Sequence, residues 1–159
     1  MKKSLFIAAV AAMFVVSACN SNGSKTENGV ATASDSTEVQ SVRGVWNIEN
    51  IVVNDTLSVR PAEIDPEATQ SFIFDVDGVV GIKTNCNSLG GSYAVKGDSI
   101  RFENMFCTEI ACENMAVEDM LKQVLPNVAT IDFVNDSTLR LNTTVDASYI
   151  VLRKAQESK

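Results

Sequence analysis

The sequence predicts an α+β domain, mostly antiparallel β, whose strongly curved or barrel-like sheet carries one packed helix at about residues 113–125. Three observations lead there. Most of the chain reads as short runs that alternate apolar and polar residues, each bounded by Gly, Asn or Asp, the pattern of strands with one face buried. One stretch sets its apolar residues at helical period instead. Behind an apolar leader and a polar linker, about 110 residues remain, enough for one core and not two.

The leader reads "MKKSLFIAAVAAMFVVSAC". Lys2 and Lys3 precede an uncharged apolar run, Leu5 to Val16, shorter than the roughly 18–20 residues a spanning helix needs. A charged start, a short apolar middle and small residues at the end describe an export signal over residues 1–18. Val16-Ser17-Ala18-Cys19 resembles a bacterial lipobox, which implies cleavage before Cys19 and acylation of its thiol and new amino group. Several acyl chains together anchor a protein stably, since each buried methylene contributes about 0.8 kcal/mol. Residues 19–42 then form a tether. From Asn20 to Val42 the chain is dominated by Ser, Thr, Asn, Gly and Glu and has no aromatic residue, which suits a flexible coil with a mean span of about 25 Å. No acidic cluster directly follows Cys19, so the expected location is the outer membrane, as a lipoprotein facing the periplasm.

The folded part spans residues 43–155. "GVWNIENIVV" is a strand with Trp46 and Ile48 on one face. Asn54 to Gln70, with Pro61 and Pro66, reads as a long surface loop. "SFIFDV" places Phe72, Phe74 and Val76 on one face, Asp77-Gly78 turns the chain, and Val80 and Ile82 return from it. Tyr93 and Val95 lie on the next strand, and Gly97-Asp98 turns into a run with Ile100 and Phe102 inward. The helix follows: Val117, Met120, Leu121, Val124 and Leu125 fall at i, i+3, i+4, i+7 and i+8, with Glu118, Asp119, Lys122 and Gln123 on the other side. Glu113 near its start suits the positive end of the helix dipole, and Pro126 ends it. "ATIDFV", a turn at Asn135-Asp136, "STLRLNT" and "SYIVLRK" complete the sheet.

The chain carries a formal charge of −7, and loss of Lys2 and Lys3 with the signal takes it to −9. Such a surface repels nucleic acid phosphates, so no nucleic acid partner is expected. There is no histidine, which removes Cys-His and Ser-His nucleophile activation and the His ligands of most catalytic zinc sites. No catalytic residue, metal or cofactor is assigned. "DVDG" at Asp75 echoes a calcium loop, but the twelfth position, which should be a glutamate, is Cys86.

With Cys19 acylated, Cys86, Cys107 and Cys112 remain, and in an oxidising compartment two of them should pair. Three cysteines allow three pairings, and spacing does not choose among them. A zinc site from these thiols and a carboxylate is disfavoured by the exported context, and "FCTEIAC" is not a C-x-x-C redox motif. The ordered set "GVWNI", "TNCNSLGGSY" and "TEIAC" resembles the META domain of HslJ-like heat-inducible lipoproteins. Gly44 and Trp46, Cys86 and Asn87, Gly91 and Tyr93, and Thr108, Ala111 and Cys112 stand at the places of that pattern, over roughly Val42 to Lys154. Asn85 stands where the family usually has Gly, and Cys107 is extra. The resemblance implies a structural disulfide between Cys86 and Cys112, with Cys107 left as a free thiol buried like a small hydrophobe. No Lys, Arg or His lies near Cys107 in sequence to lower its pKa. The asparagines and glycines of "TNCNSLGG" are read as residues that accept left-handed backbone angles.

Asp35-Ser36 in the tether and Asp55-Thr56 in the long loop resemble the Asp-Ser/Thr acceptor motif of O-glycosylation in some Gram-negative bacteria, although turn chemistry accounts for such pairs equally well. The expected function is non-enzymatic: a monomeric, lipid-anchored envelope domain with a stress-response or binding role towards another envelope protein. The alternative is a periplasmic inhibitor of a lysozyme or protease, with the Asn54–Gln70 loop entering the partner's cleft.

Overall fold

A computed structural model of the chain describes residues 40–156. The expected signal, the expected acylation site Cys19, nearly all of the expected tether and the candidate acceptor Ser36 lie outside the described residues.

Strands form where the alternation places them. In chain order they are β1 (Gly44–Val53), β2 (Leu57–Val59), β3 (Ser71–Phe74), β4 (Val79–Lys83), β5 (Ser88–Lys96), β6 (Ser99–Cys107), β7 (Val128–Asn135), β8 (Thr138–Thr143) and β9 (Tyr149–Lys154). Every pairing is antiparallel. β1 pairs with β3 through its first half and with β9 along its opposite edge, so β1 and β3 to β9 close into an eight-stranded barrel. β2 is a short addition beside the second half of β1. At the closure, Arg153 of β9 grips Glu49 of β1 through Nε and Nη2 at 3.1 and 3.0 Å, which holds the guanidinium above its ordinary pKa.

The barrel interior holds the core. Trp46, Ile51, Phe72, Phe74, Leu139 and Leu152 are almost wholly removed from water. Trp46 donates Nε1–H to the Val42 carbonyl at 2.7 Å, a bond that a buried indole requires. Gly44, at φ 115°, makes the bend between them, a conformation that strains any side chain. Phe72, Phe74, Phe102 and Tyr93 form an aromatic cluster with ring centroids 5.0 to 6.3 Å apart.

The helix α2 runs over Ala116–Val124, shorter than the 113–125 expected, and a 3-10 turn, Leu125–Asn127, follows it. The start is late because Asn114 Oδ1 accepts the Ala116 N–H at 3.1 Å, so Glu113 precedes the helix. Pro126 sits within the 3-10 turn. The stripe Val117, Met120, Leu121 and Val124 is buried as its period requires, and the helix packs on β1 and β2. One residue departs from the pattern: Glu118, expected in solvent, is 0% exposed.

Two further expectations are corrected. The segment 54–70 is not one long loop. Asn54 and Asp55, both at positive φ, make a tight hairpin into β2, and Pro61 opens a short helix α1 (Pro61–Ile64) at the position proline favours. Val76 lies in the Asp75–Gly78 turn, where Asp75 Oδ1 takes its N–H at 2.6 Å, and is 62% exposed. Val95 is exposed on the projecting end of the β5–β6 hairpin. Among the described residues no helix is long and apolar enough to cross a membrane.

Candidate functional site

The residues of "TNCN" and "CTEIAC" meet at one end of the barrel. Thr84 to Asn87 form a turn closed by Thr84 N–H to the Asn87 carbonyl at 3.0 Å. The Thr84 hydroxyl oxygen accepts the Asn87 N–H at 2.9 Å. Its one proton can go to the Asn87 carbonyl, at 2.8 Å, or to Glu118 Oε1. Glu118 Oε1 also accepts the Asn87 N–H at 3.1 Å, which ties the third residue of α2 to the turn, while its Oε2 is buried with no hydrogen-bond partner.

The Asn87 side chain acts as a piece of β backbone. Its Nδ2 donates to the Ile110 carbonyl at 3.0 Å, and its Oδ1 accepts the Ile110 N–H at 2.9 Å and the Thr108 hydroxyl at 2.7 Å. Thr108 Oγ1 in turn accepts the Ser88 N–H at 3.1 Å. An amide supplies both the donor and the acceptor that this pairing needs, on two separate atoms; a carboxylate has no donor, and a hydroxyl carries both on one atom and cannot face an N–H and a carbonyl side by side. Between these bonds the structure joins Cys86 to Cys112, with Cα atoms 6.2 Å apart, so the turn is bound to the approach of α2 by sulfur as well. Cys112 is exposed and Cys86 half-buried.

The left-handed reading of this stretch is corrected. Asn85, Asn87, Gly90 and Gly91 are not among the residues at positive φ. Asn85 therefore needs no glycine-like freedom, and its Nδ2 donates to the Asn114 carbonyl at 3.1 Å, another link to the approach of α2. The two glycines serve close approach. β6 bulges at Asn104-Met105, opposite Gly91, with Asn104 at φ 53°. A Cβ on Gly91 would stand 2.8 Å from the Glu103 carbonyl oxygen and 2.5 Å from Met105 Sδ. A Cβ on Gly90 would meet the ring of Phe106 at 2.5 Å, but that ring is 66% exposed and can swing away. Gly91→Ala should thus cost about 2 kcal/mol and Gly90→Ala less than about 1, because only the first pushes on backbone. Urea unfolding of the two variants checks the order; equal losses would contradict it.

The remaining motif residues sit elsewhere. Tyr93 donates its hydroxyl to the Asp75 carbonyl at 2.7 Å and its N–H to the Gly78 carbonyl at 2.8 Å, bracing the β3–β4 turn. Gly44 and Trp46 belong to the start of β1, away from the cysteines. Thr56 is exposed in the β1–β2 turn. Cys107 is half-buried, its Sγ 3.0 Å from the Thr108 carbonyl oxygen, beside an apolar groove that Lys122 also lines. That lysine is near in space though distant in sequence. Sequence reasoning missed Glu118 because its stripe position marks an exposed face, and the donors it satisfies come from a turn 31 and 34 residues earlier.

The chain matches the family model described as META domain over residues 37–156. Among solved structures, a protein from Burkholderia xenovorans is similar at TM-score 0.59 and 16% identity, covering 72% of this chain and 83% of its own. A DUF4847 family protein from Bacteroides vulgatus is similar at TM-score 0.50 and 12% identity, covering 72% and 94%. At these identities the likeness is one of fold. No match to a curated protein was found.

Proposed function

The chain belongs to the META domain family, and from that premise we propose that it is a non-enzymatic binding or stabilising module of the cell envelope, carried on a lipid anchor at Cys19. The observation that carries the reading is the Cys86–Cys112 bond. A bridge between an exposed and a half-buried cysteine persists in an oxidising compartment and not against cytosolic thiols. The leader and lipobox at residues 1–19 supply a route to that compartment, and the polar tether holds an acidic head off an anionic surface. The chemistry of the hub is structural: the buried carboxyl of Glu118 is engaged with Thr84 and Asn87, and the two sulfurs with each other. On this reading the domain faces the periplasm from the outer membrane, works as a monomer and meets a protein partner during envelope stress.

The inhibitor alternative has less support. The segment meant to enter a cleft is held down by β2, α1 and the burial of Pro61 and Gln70, so its exposed residues, Asn54–Ser58 and scattered positions between Arg60 and Thr69, do not form one free loop. Inhibition of a lysozyme or protease by the purified chain would revive it.

Metabolic labelling with a palmitate analogue tests the anchor. The wild-type chain should take up label and sediment with membranes, whereas Cys19→Ser should do neither. Label-free wild-type chain in the soluble fraction would overturn the proposal.

A further inference from the structure

We propose that the split between β6 and β7 receives an extended acidic peptide segment of a partner protein, added as a strand along the free edge of β6. The barrel is not zipped evenly. β5 and β6 pair from Leu89–Cys107 to Lys96–Ser99, broken once by the bulge opposite Gly91, whereas the β6–β7 seam has one registered pair, Ser99 with Thr130, and beside it the Ile131 N–H bond to the Asp98 carbonyl at 2.7 Å. Past Ser99, β6 is paired on its β5 side alone. The chain between β6 and β7 leaves the sheet to form α2 and the 3-10 turn, and Leu125 and Pro126 come back as the opposite wall of a groove.

That groove has a volume of about 420 Å³ and an adjoining hollow of about 280 Å³, the two sharing Phe102, Leu125 and Pro126. Met105 and Cys107 add half-buried apolar surface to its floor. An unpaired strand edge is a template for another strand, and in such additions the main chain gives affinity while pockets for alternate side chains give specificity. From Arg101 to Phe106 the edge extends roughly 17 Å, room for five or six residues. Apolar side chains at alternate positions of the incoming strand would lie between Phe102, Met105 and Leu125.

Charge selects the class of peptide. The chain is strongly acidic, yet neither hollow is lined by any Asp or Glu. The charged residues there are Lys122 and Arg101, both exposed, and neither forms an ion pair among the described residues. Glu103 is exposed on the same edge, so carboxylates of the added strand would be placed beside Arg101 and towards Lys122, with an uncharged residue such as threonine beside Glu103.

The inference gives a site to the binding role proposed above and is independent of the anchor, so its failure would leave the Cys19 experiment standing. The test uses the full chain and a fluorescein-labelled eight-residue peptide that alternates valine with aspartate and threonine. Anisotropy should show saturable binding, weakened about tenfold by the double variant Arg101→Glu/Lys122→Glu, whose exposed positions leave folding intact. Bound peptide should also slow alkylation of Cys107 by N-ethylmaleimide about fivefold, read on its proteolytic fragment by mass. Absence of binding overturns the proposal. So does binding that ignores the charge reversal and leaves the Cys107 rate unchanged, which places the peptide elsewhere. Protection of Cys107 by decanoate and not by the peptide overturns it too, since the groove would then take an acyl chain rather than a strand.

Discussion

Replacing both Cys86 and Cys112 by Ser should lower the stability of the domain by about 3.5 kcal/mol and its melting temperature by roughly 10–20 °C. The cross-link has a sequence separation of 26, and the chain-entropy relation assigns a loop of that length this value. Against a total of about 5–15 kcal/mol for a domain of this size, the loss is large but leaves a folded molecule. The bonds of Asn87 to Ile110 and of Thr108 to Ser88 still hold the turn to the strand end, so the reduced form should keep its far-ultraviolet spectrum at 25 °C. Differential scanning calorimetry of the wild type and the pair of serines measures the difference. In the oxidised protein, alkylation should label Cys107 and neither of the other two described cysteines. Equal melting temperatures, or prompt labelling of Cys86, would remove the bridge from its place as the main tie between turn and helix.

The fold was legible where a residue's neighbours in sequence decide its environment. Alternation places Trp46, Phe72, Phe74, Val80, Ile82 and Ile100 inside, because each strand has one face to bury and period two decides which. The α2 stripe is legible for the same reason at period 3.6. Closure is less legible: β1 must find β9 across the whole domain, and pairing over such a distance leaves no local mark. Segment 54–70 was misread because two prolines suggested irregular chain, while Asn54-Asp55 is itself a hairpin turn and proline favours the first helical position. In the site, the motif residues were visible as a set, but their work was not. Asn87 looks like a turn former and serves as a substitute peptide group for Ile110. Gly91 looks like a residue needing positive φ and instead makes room for a bulge on the next strand. Both roles depend on partners that only the folded chain brings together.

Glu118 is the residue whose removal should tell most about the hub, and Glu118→Ala should cost about 3 kcal/mol. Two hydrogen bonds to Oε1 are lost, from the Thr84 hydroxyl and the Asn87 N–H, at about 1 kcal/mol each. The truncated side chain leaves a cavity in a fully buried place, worth about another 1–2 kcal/mol. Two effects work against the loss. Thr84 can still donate to the Asn87 carbonyl and accept its N–H, so neither donor is orphaned. The unpartnered Oε2, costly to bury, disappears as well. They reduce the cost without reversing it, because neither reconnects α2 to the turn. Glu118→Gln separates the terms. It fills the same volume and keeps one acceptor for Thr84 and Asn87, so it should cost about 1 kcal/mol, well below the alanine. Amide hydrogen exchange adds a local readout: in Glu118→Ala the Asn87 N–H should lose protection by more than the global loss of stability explains, and in Glu118→Gln it should not. If alanine and glutamine are equally destabilising, or if exchange at Asn87 follows global unfolding in both, the carboxyl does not hold the turn, and the disulfide and the side chains of Asn85 and Asn87 hold it without Glu118.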